Sequence, residues 1–356
     1  MHRPAINRSS CWSILLFSAV SLLPPCALPA AGPDPTTATG ITYRGWPDSV
    51  LLSNGIVEAV IVPAIGRVMQ FRFAGSTDGP FWENATLRGS RHDPASKEWS
   101  NFGGDKAWPA PQTDWRRRIG REWPPPAGFD SMPMTVAIDR TGVTLVSQVD
   151  PDYGIRVRRR IELAPGRPVM TTTTRYENVA GAPLSVGVWT ITQLKDPIAL
   201  YAPLAAQPAP GGPRFLESGE PPPDLAVTDD LLSLTRDRAQ NHRIGLVGRT
   251  LVWIGRSETL RLDSEVVGGA PYPDEGRSAQ IYTNADPLPY VELEMLGPLE
   301  TLRNGDAIER TTIYTLGHRV APQPASEIQG LLRGSTAAPR APSPRPAGSP
   351  GPGSVN

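Results

Sequence analysis

Two carboxylates stand two positions apart in the run Tyr290-Val291-Glu292-Leu293-Glu294. Side chains alternate along an extended chain, so Glu292 and Glu294 share the face opposite Val291 and Leu293, about 6.5 Å apart. Acids that close raise one another's pKa, which suits general acid–base work. The same spacing also describes a solvated outer face, and the sequence leaves both open. A second group of chemical residues is the stretch Asn101-Phe102-Gly103-Gly104-Asp105-Lys106-Ala107-Trp108-Pro109-Ala110-Pro111-Gln112. Around it lie Trp82, Trp99, Trp108, Trp115 and Trp123, five of the nine tryptophans of the chain. Sugars offer flat C–H faces to rings and hydroxyls to carboxylates, amides and ammonium groups. A tryptophan platform edged by Asp105, Lys106 and Gln112 meets both needs. Gly103-Gly104 would let the backbone approach a ligand closely. The competing reading is that these indoles plug one end of the fold as core. A third group, Tyr272-Pro273-Asp274-Glu275-Gly276, is a turn whose acids face solvent by default.

Other chemistries find little support. Past the first thirty residues there is no cysteine, and His92, His242 and His318 lie far apart with no ligand spacing, so no metal site is expected. No serine sits in a Gly-x-Ser-x-Gly elbow, and no glycine-rich phosphate loop precedes a helix, so no cofactor is expected. With 35 Lys+Arg against 35 Asp+Glu the formal charge is zero, which argues against a nucleic-acid partner. No internal apolar run approaches the ~20 residues of a membrane span. Arg156, Arg158, Arg159 and Arg160 read as a wet strand edge, and Asn84-Ala85-Thr86 fits a glycosylation sequon.

The elements that must hold these residues are β-strands. Among 356 residues 41 are proline, which argues against a helical protein because interior proline breaks helices. Ser53-Asn54-Gly55 is a hairpin turn between apolar runs in residues 50–73. Strands are expected at 135–138, 143–149, 155–163, 169–177, 184–193, 250–254, 259–262, 279–283, 290–295 and 307–316. Turns such as Asp139-Arg140-Thr141-Gly142 and Ala164-Pro165-Gly166-Arg167 separate them. Residues 81–129 show no alternation and read as a long aromatic loop, and residues 201–224 as a Pro/Ala/Gly loop; long ordered loops are usually functional. About a dozen strands with short turns imply a large antiparallel sandwich.

The ends are of a different kind. His2, Arg3 and Arg8, the apolar run 14–23 and the small residues 27–31 have the form of an export signal over residues 1–30, cleaved after Ala30 or Ala31. Pro25 stands where a lipid-attachment signal wants Gly, Ala or Ser, which argues against a lipoprotein anchor on Cys26. Loss of this segment removes both cysteines, Cys11 and Cys26, and shifts the formal charge to −2. A periplasmic or secreted protein without disulfides is expected. Residues 31–40 read as a linker, 41–320 as one domain, 321–335 as a short helix, and 336–356 as a Pro/Ala/Ser/Gly-rich disordered tail.

Four segments, in this order, resemble the galactose mutarotase-like (aldose 1-epimerase) superfamily over roughly residues 50–316. They are Asn54-Gly55 to Gly66-Arg67; Phe102-Gly103-Gly104; the run from Ala182 through Trp189 to Leu194; and Gln280-Ile281-Tyr282-Thr283-Asn284 followed by Leu293-Glu294 and Asn304-Gly305-Asp306. Gly103 to Gln112 is similar to a bacterial branch marked by Gly-Gly-Asp-Lys-x-Trp-Pro-x-Pro-Gln. The resemblance implies an all-β supersandwich and a mono- or oligosaccharide ligand. In that family a Glu takes the anomeric proton and a His donates to the ring oxygen. Glu294 matches the base, but Trp189 stands where the acid would be and Phe102 replaces a second pocket His. An indole N–H cannot act as a general acid near neutral pH. The expected pocket therefore gathers Asp105, Lys106, Trp108, Gln112, Trp189, Glu292 and Glu294, with Phe102 and Asp274 as further sugar contacts. Two functions follow: a carbohydrate-binding protein, or a sugar isomerase using Glu294 as base and Lys106, Asp105 or Asp274 as acid. A structural envelope protein is a third, in which the tryptophans merely pack.

Overall fold

Turn chemistry and alternation build two antiparallel sheets in the computed structural model, which describes residues 34–93, 96–204, 212–217 and 219–333. The expected leader (1–30) and tail (336–356) lie outside the described residues. The first sheet runs, in spatial order, Thr36–Tyr43, Trp46–Ser53, Val57–Val62, Arg67–Phe73, Asp105–Ala110, Leu184–Lys195, Tyr290–Leu296, Ala279–Thr283, His242–Leu246 and Arg214–Phe215, with Glu300–Leu302 joined to the start of Leu184–Lys195. The second runs Ala226–Thr228, Leu231–Leu234, Ala199–Pro203, Thr250–Ile254, Glu258–Ser264, Ala307–His318, Val169–Asn178, Ile155–Leu163, Gly142–Val149 and Thr135–Ile138. The ten strands expected between residues 135 and 316 all form, with ends within two residues of those expected.

The turn at Asn54-Gly55 shows how local chemistry also joins the layers. Gly55 takes φ +81°, and Asn54 Oδ1 accepts from the N–H groups of Ile56 and Val57. The Asn54 amide then donates to the carbonyls of Ala164 and Arg167, in a turn of the other sheet. Between the sheets lies one apolar layer, to which Val157 and Ile161 contribute from one side and Val188, Val291 and Leu293 from the other. Burying each such side chain contributes roughly 1.5–3 kcal/mol.

Four expectations need correction. The supposed aromatic loop contains a central strand, Asp105–Ala110, every residue of which is buried. A strand covered on both faces has no alternation to read. The expected linker runs into the edge strand Thr36–Tyr43, which is polar because it is mostly exposed. The 201–224 loop begins inside the strand Ala199–Pro203. Arg159 is not on a wet edge: Ile155–Leu163 has neighbours on both sides, and Arg159 is one of its inward residues, 1% exposed. The short helix spans Pro324–Arg333 and lays Ile328, Leu331 and Leu332 on Tyr201, Val252 and Ile254.

Candidate functional site

The side of the first sheet turned away from the second sheet carries the site. Register brings Gln193, Glu292, Tyr282 and Arg243 into one row across four strands, and Lys106, Ile191, Glu294 and Gln280 into the next. Trp108 and Trp189 face each other one pair further along. Above this floor opens a cavity of about 1120 Å³. Trp99, Trp108, Trp123, Tyr282 and Tyr290 line it with rings, and Asn84, Asn101, Gln112, Asp274, Glu217, Arg243 and Glu292 supply polar groups.

Alternation settles the two acids. Glu292 and Glu294 do share a face, and Val291 and Leu293 point into the layer between the sheets. Glu292 lines the cavity and accepts from Lys106 Nζ at 3.1 Å. Lys106 Nζ also lies 5.0 Å from the Trp108 ring centre and 5.6 Å from that of Trp99, a cation held by two π faces. Burial pulls its pKa down, against the pull of Glu292 the other way. Glu294 is fully buried below the floor, where Trp189 Nε1 donates to its Oε2 at 2.7 Å while Oε1 has no partner. Desolvation pushes the Glu294 carboxyl up to about 8, and Glu292 adds to the rise; Arg243 and the Trp189 N–H oppose it. Glu294 thus holds its proton to higher pH than an ordinary carboxyl does, while Glu292 is paired with Lys106. A pair of acids with such different surroundings is the pattern of acid–base sites.

The tryptophan wall is locked by a residue that sequence reading missed. Asp130 is buried, and its carboxylate receives Trp108 Nε1 at 2.8 Å, Trp99 Nε1 at 3.2 Å and Arg67 Nη2 at 2.7 Å. Trp108 meets Trp99, Trp115, Trp123 and Trp189 edge-on, with centroids 5.4–5.8 Å apart. Trp123 is the exposed member, at 44%.

Of the residues proposed from sequence, Trp108, Gln112, Asp274 and Glu292 line the cavity. Asp274 is not left in solvent: it accepts from Gln280 Nε2, and burial raises its pKa. Lys106, Glu294 and Trp189 lie directly under the floor. Asp105 and Phe102 stand elsewhere. Neighbours along a strand face opposite ways, so Asp105 points between the sheets while Lys106 points to the cavity. There Asp105 is bound by Arg159, by Thr192 Oγ1 at 2.8 Å and by Tyr314 Oη at 2.7 Å. Phe102 packs on Trp46 in a separate small core, under the Arg67 guanidinium. The two glycines serve packing: a Cβ on Gly103 would lie 2.3 Å from the Trp82 carbonyl oxygen, and one on Gly104 2.6 Å from that of Val68. Arg243 also went unread, since nothing in the short run His242–Leu246 marks it out.

No protein-family model matches the chain, and no curated protein matches it. Solved structures do. A TPR-domain containing protein from Parabacteroides distasonis aligns with TM-score 0.55 and 15% identity over 84% of this chain. The alignment takes in 50% of that protein, so this chain spans about half its length. A candidate aldose 1-epimerase from Klebsiella pneumoniae aligns with TM-score 0.52 and 11% identity over 85% of this chain and 88% of its own. A galactose mutarotase-like protein from Lactobacillus casei aligns with TM-score 0.50 and 12% identity over 76% of this chain and all of its own. At these identities the likeness concerns the fold: the chain is an all-β, galactose mutarotase-like β-supersandwich.

Proposed function

We propose that the protein recognises a carbohydrate, a mono- or oligosaccharide, in the cavity above Glu292. The observation that carries this reading is a cavity lining that combines indole and phenol rings with hydrogen-bonding side chains. Pyranose rings need apolar faces and directional polar partners together, and the cavity supplies both. Its volume exceeds the ~300–1,000 Å³ of pockets for drug-sized ligands, which suits more than one sugar unit. The leader-like start supports export to the periplasm or beyond, and intact-mass analysis of secreted material starting near Ala31 or Gly32, without lipid, tests that part.

Sugar isomerisation is the second reading, in the manner of an aldose 1-epimerase. It is favoured by the raised pKa of Glu294 and its unpartnered Oε1, with Lys106 or Asp274 as the acid. Against it, Glu294 is fully buried and does not line the cavity, and its other oxygen accepts from Trp189, whose indole N–H cannot act as a general acid near neutral pH. Binding without turnover is therefore the better-supported function. Calorimetry against a panel of monosaccharides and glycans, followed by polarimetry on every hit, separates the two. Binding with no change in optical rotation supports recognition alone. Turnover that Glu294→Gln cuts by about 10²–10⁴-fold, the scale for losing a general base, supports the isomerase.

A further inference from the structure

Arg243 has a feature that recognition of a neutral sugar does not need. Its guanidinium is fixed on the cavity floor between the rings of Trp189 and Tyr282, with Cζ 5.5 Å from each centroid. Nη1 donates to Gln112 Oε1 at 3.1 Å. Nε is buried without a partner, and Nη2 donates to no group among the described residues. Glu292, Glu294, Glu217 and Asp274 act on it through charge, but the neighbouring acids hydrogen-bond elsewhere: Glu292 to Lys106, Glu294 to Trp189, Asp274 to Gln280 and Glu122 to Arg116. Glu217 stands on the lining and makes no ion pair with Arg243 among the described residues. What remains open to the cavity is Nη2, a charged N–H donor that suits a carboxylate oxygen, with the unpartnered Nε buried beside it.

We propose that the cavity takes an acidic sugar, a hexuronate unit whose carboxylate docks on Nη2 of Arg243. The inference rests on the carbohydrate reading above and names its ligand class. The rings of Trp99, Trp108 and Trp123 are left to cover the sugar face, and Asn84, Asn101 and Glu292 to meet its hydroxyls. A charge-assisted hydrogen bond from the guanidinium to a carboxylate is stronger than a neutral one.

The test uses calorimetry on the full chain with D-glucuronate and D-galacturonate, each against its parent D-glucose or D-galactose, and with glucose 6-phosphate. At least one uronate should bind about tenfold more tightly than its parent, the scale of one charged hydrogen-bonded pair. Arg243→Gln should bring the ratio of uronate to parent affinity to about one, whatever it does to binding of the neutral parent. Gln112→Glu, which sets a carboxylate against Nη1, should do the same and guards against a misfolded Arg243 variant; near-UV circular dichroism checks both. Equal affinity for parent and uronate overturns the proposal and leaves carbohydrate recognition standing. So does a uronate preference that survives Arg243→Gln, or tighter binding of glucose 6-phosphate than of either uronate. Failure of every neutral and acidic sugar to bind overturns the carbohydrate reading as well.

Discussion

Trp189 and Glu294 form a buried donor–acceptor pair, the indole N–H reaching the carboxyl oxygen at 2.7 Å across adjacent strands. A neutral carboxyl tolerates that burial better than a carboxylate does, and this fixes a sign for pH dependence. The folded pKa of Glu294, about 8, lies above the ordinary value of 4.5, so the folded state binds the extra proton between them. The stability from this group is complete below about pH 4.5 and is lost as pH rises through about 8. Glu294→Gln keeps an acceptor for Trp189 and should flatten this fall. Urea midpoints of both proteins across pH 5–9 check it; parallel curves would contradict the assignment.

Trp123 separates ligand contact from core. It lines the cavity and is 44% exposed, so Trp123→Ala should weaken sugar binding by roughly 1–3 kcal/mol while the thermal midpoint stays nearly unchanged. Trp108→Ala is expected to behave differently. Trp108 lines the cavity but is 1% exposed and wedged among four indoles, so about 3–5 kcal/mol of stability should be lost with the affinity. Titration calorimetry beside chemical denaturation measures both halves.

Asp130→Ala removes one carboxylate from three donors. It leaves Arg67 buried and uncompensated, which should cost about 3–5 kcal/mol. Asp130→Asn keeps the shape and one acceptor and should cost less, yet still loosen Trp99 and Trp108. The near-UV dichroism of the indoles should then change more than the unfolding midpoint does.

Asp105 gives the complementary case. Arg159, Thr192 and Tyr314 converge on it from both sheets, so Asp105→Ala should destabilise by about 3–5 kcal/mol through an unpaired Arg159. Where the variant is folded, sugar affinity should hold within about threefold, because the side chain faces away from the cavity. A selective loss of binding at full stability would place Asp105 in the site after all.

What could be read from the chain depended on which contrast each element carried. Ile155–Leu163 and Tyr290–Leu296 have one face unlike the other, so alternation located them and put Glu292 and Glu294 together. Asp105–Ala110 carries no such contrast, and Gly103-Gly104 before it and Pro109 within it resembled loop chemistry. Once it is known to be a strand, Asp105 and Lys106 fall on opposite faces, so the one pocket expected to gather both cannot hold Asp105. Asp130 and Arg243 were invisible for another reason. Their roles come from contacts over long sequence distances, 63 residues between Arg67 and Asp130 and 131 between Gln112 and Arg243. No local pattern records such a meeting.

The edge-on indoles around Trp108 have an optical consequence. Chromophores 5.0–5.8 Å apart share their excitation, so absorbed light migrates among Trp99, Trp108, Trp115, Trp123 and Trp189 before it is emitted. Trp123, the member open to solvent, and Trp108 border the cavity directly. A molecule seated there displaces water from the rim of the array and alters the emission of the whole group. The protein thus carries its own reporter dye, and occupancy can be followed at the concentrations of a fluorimeter without any label.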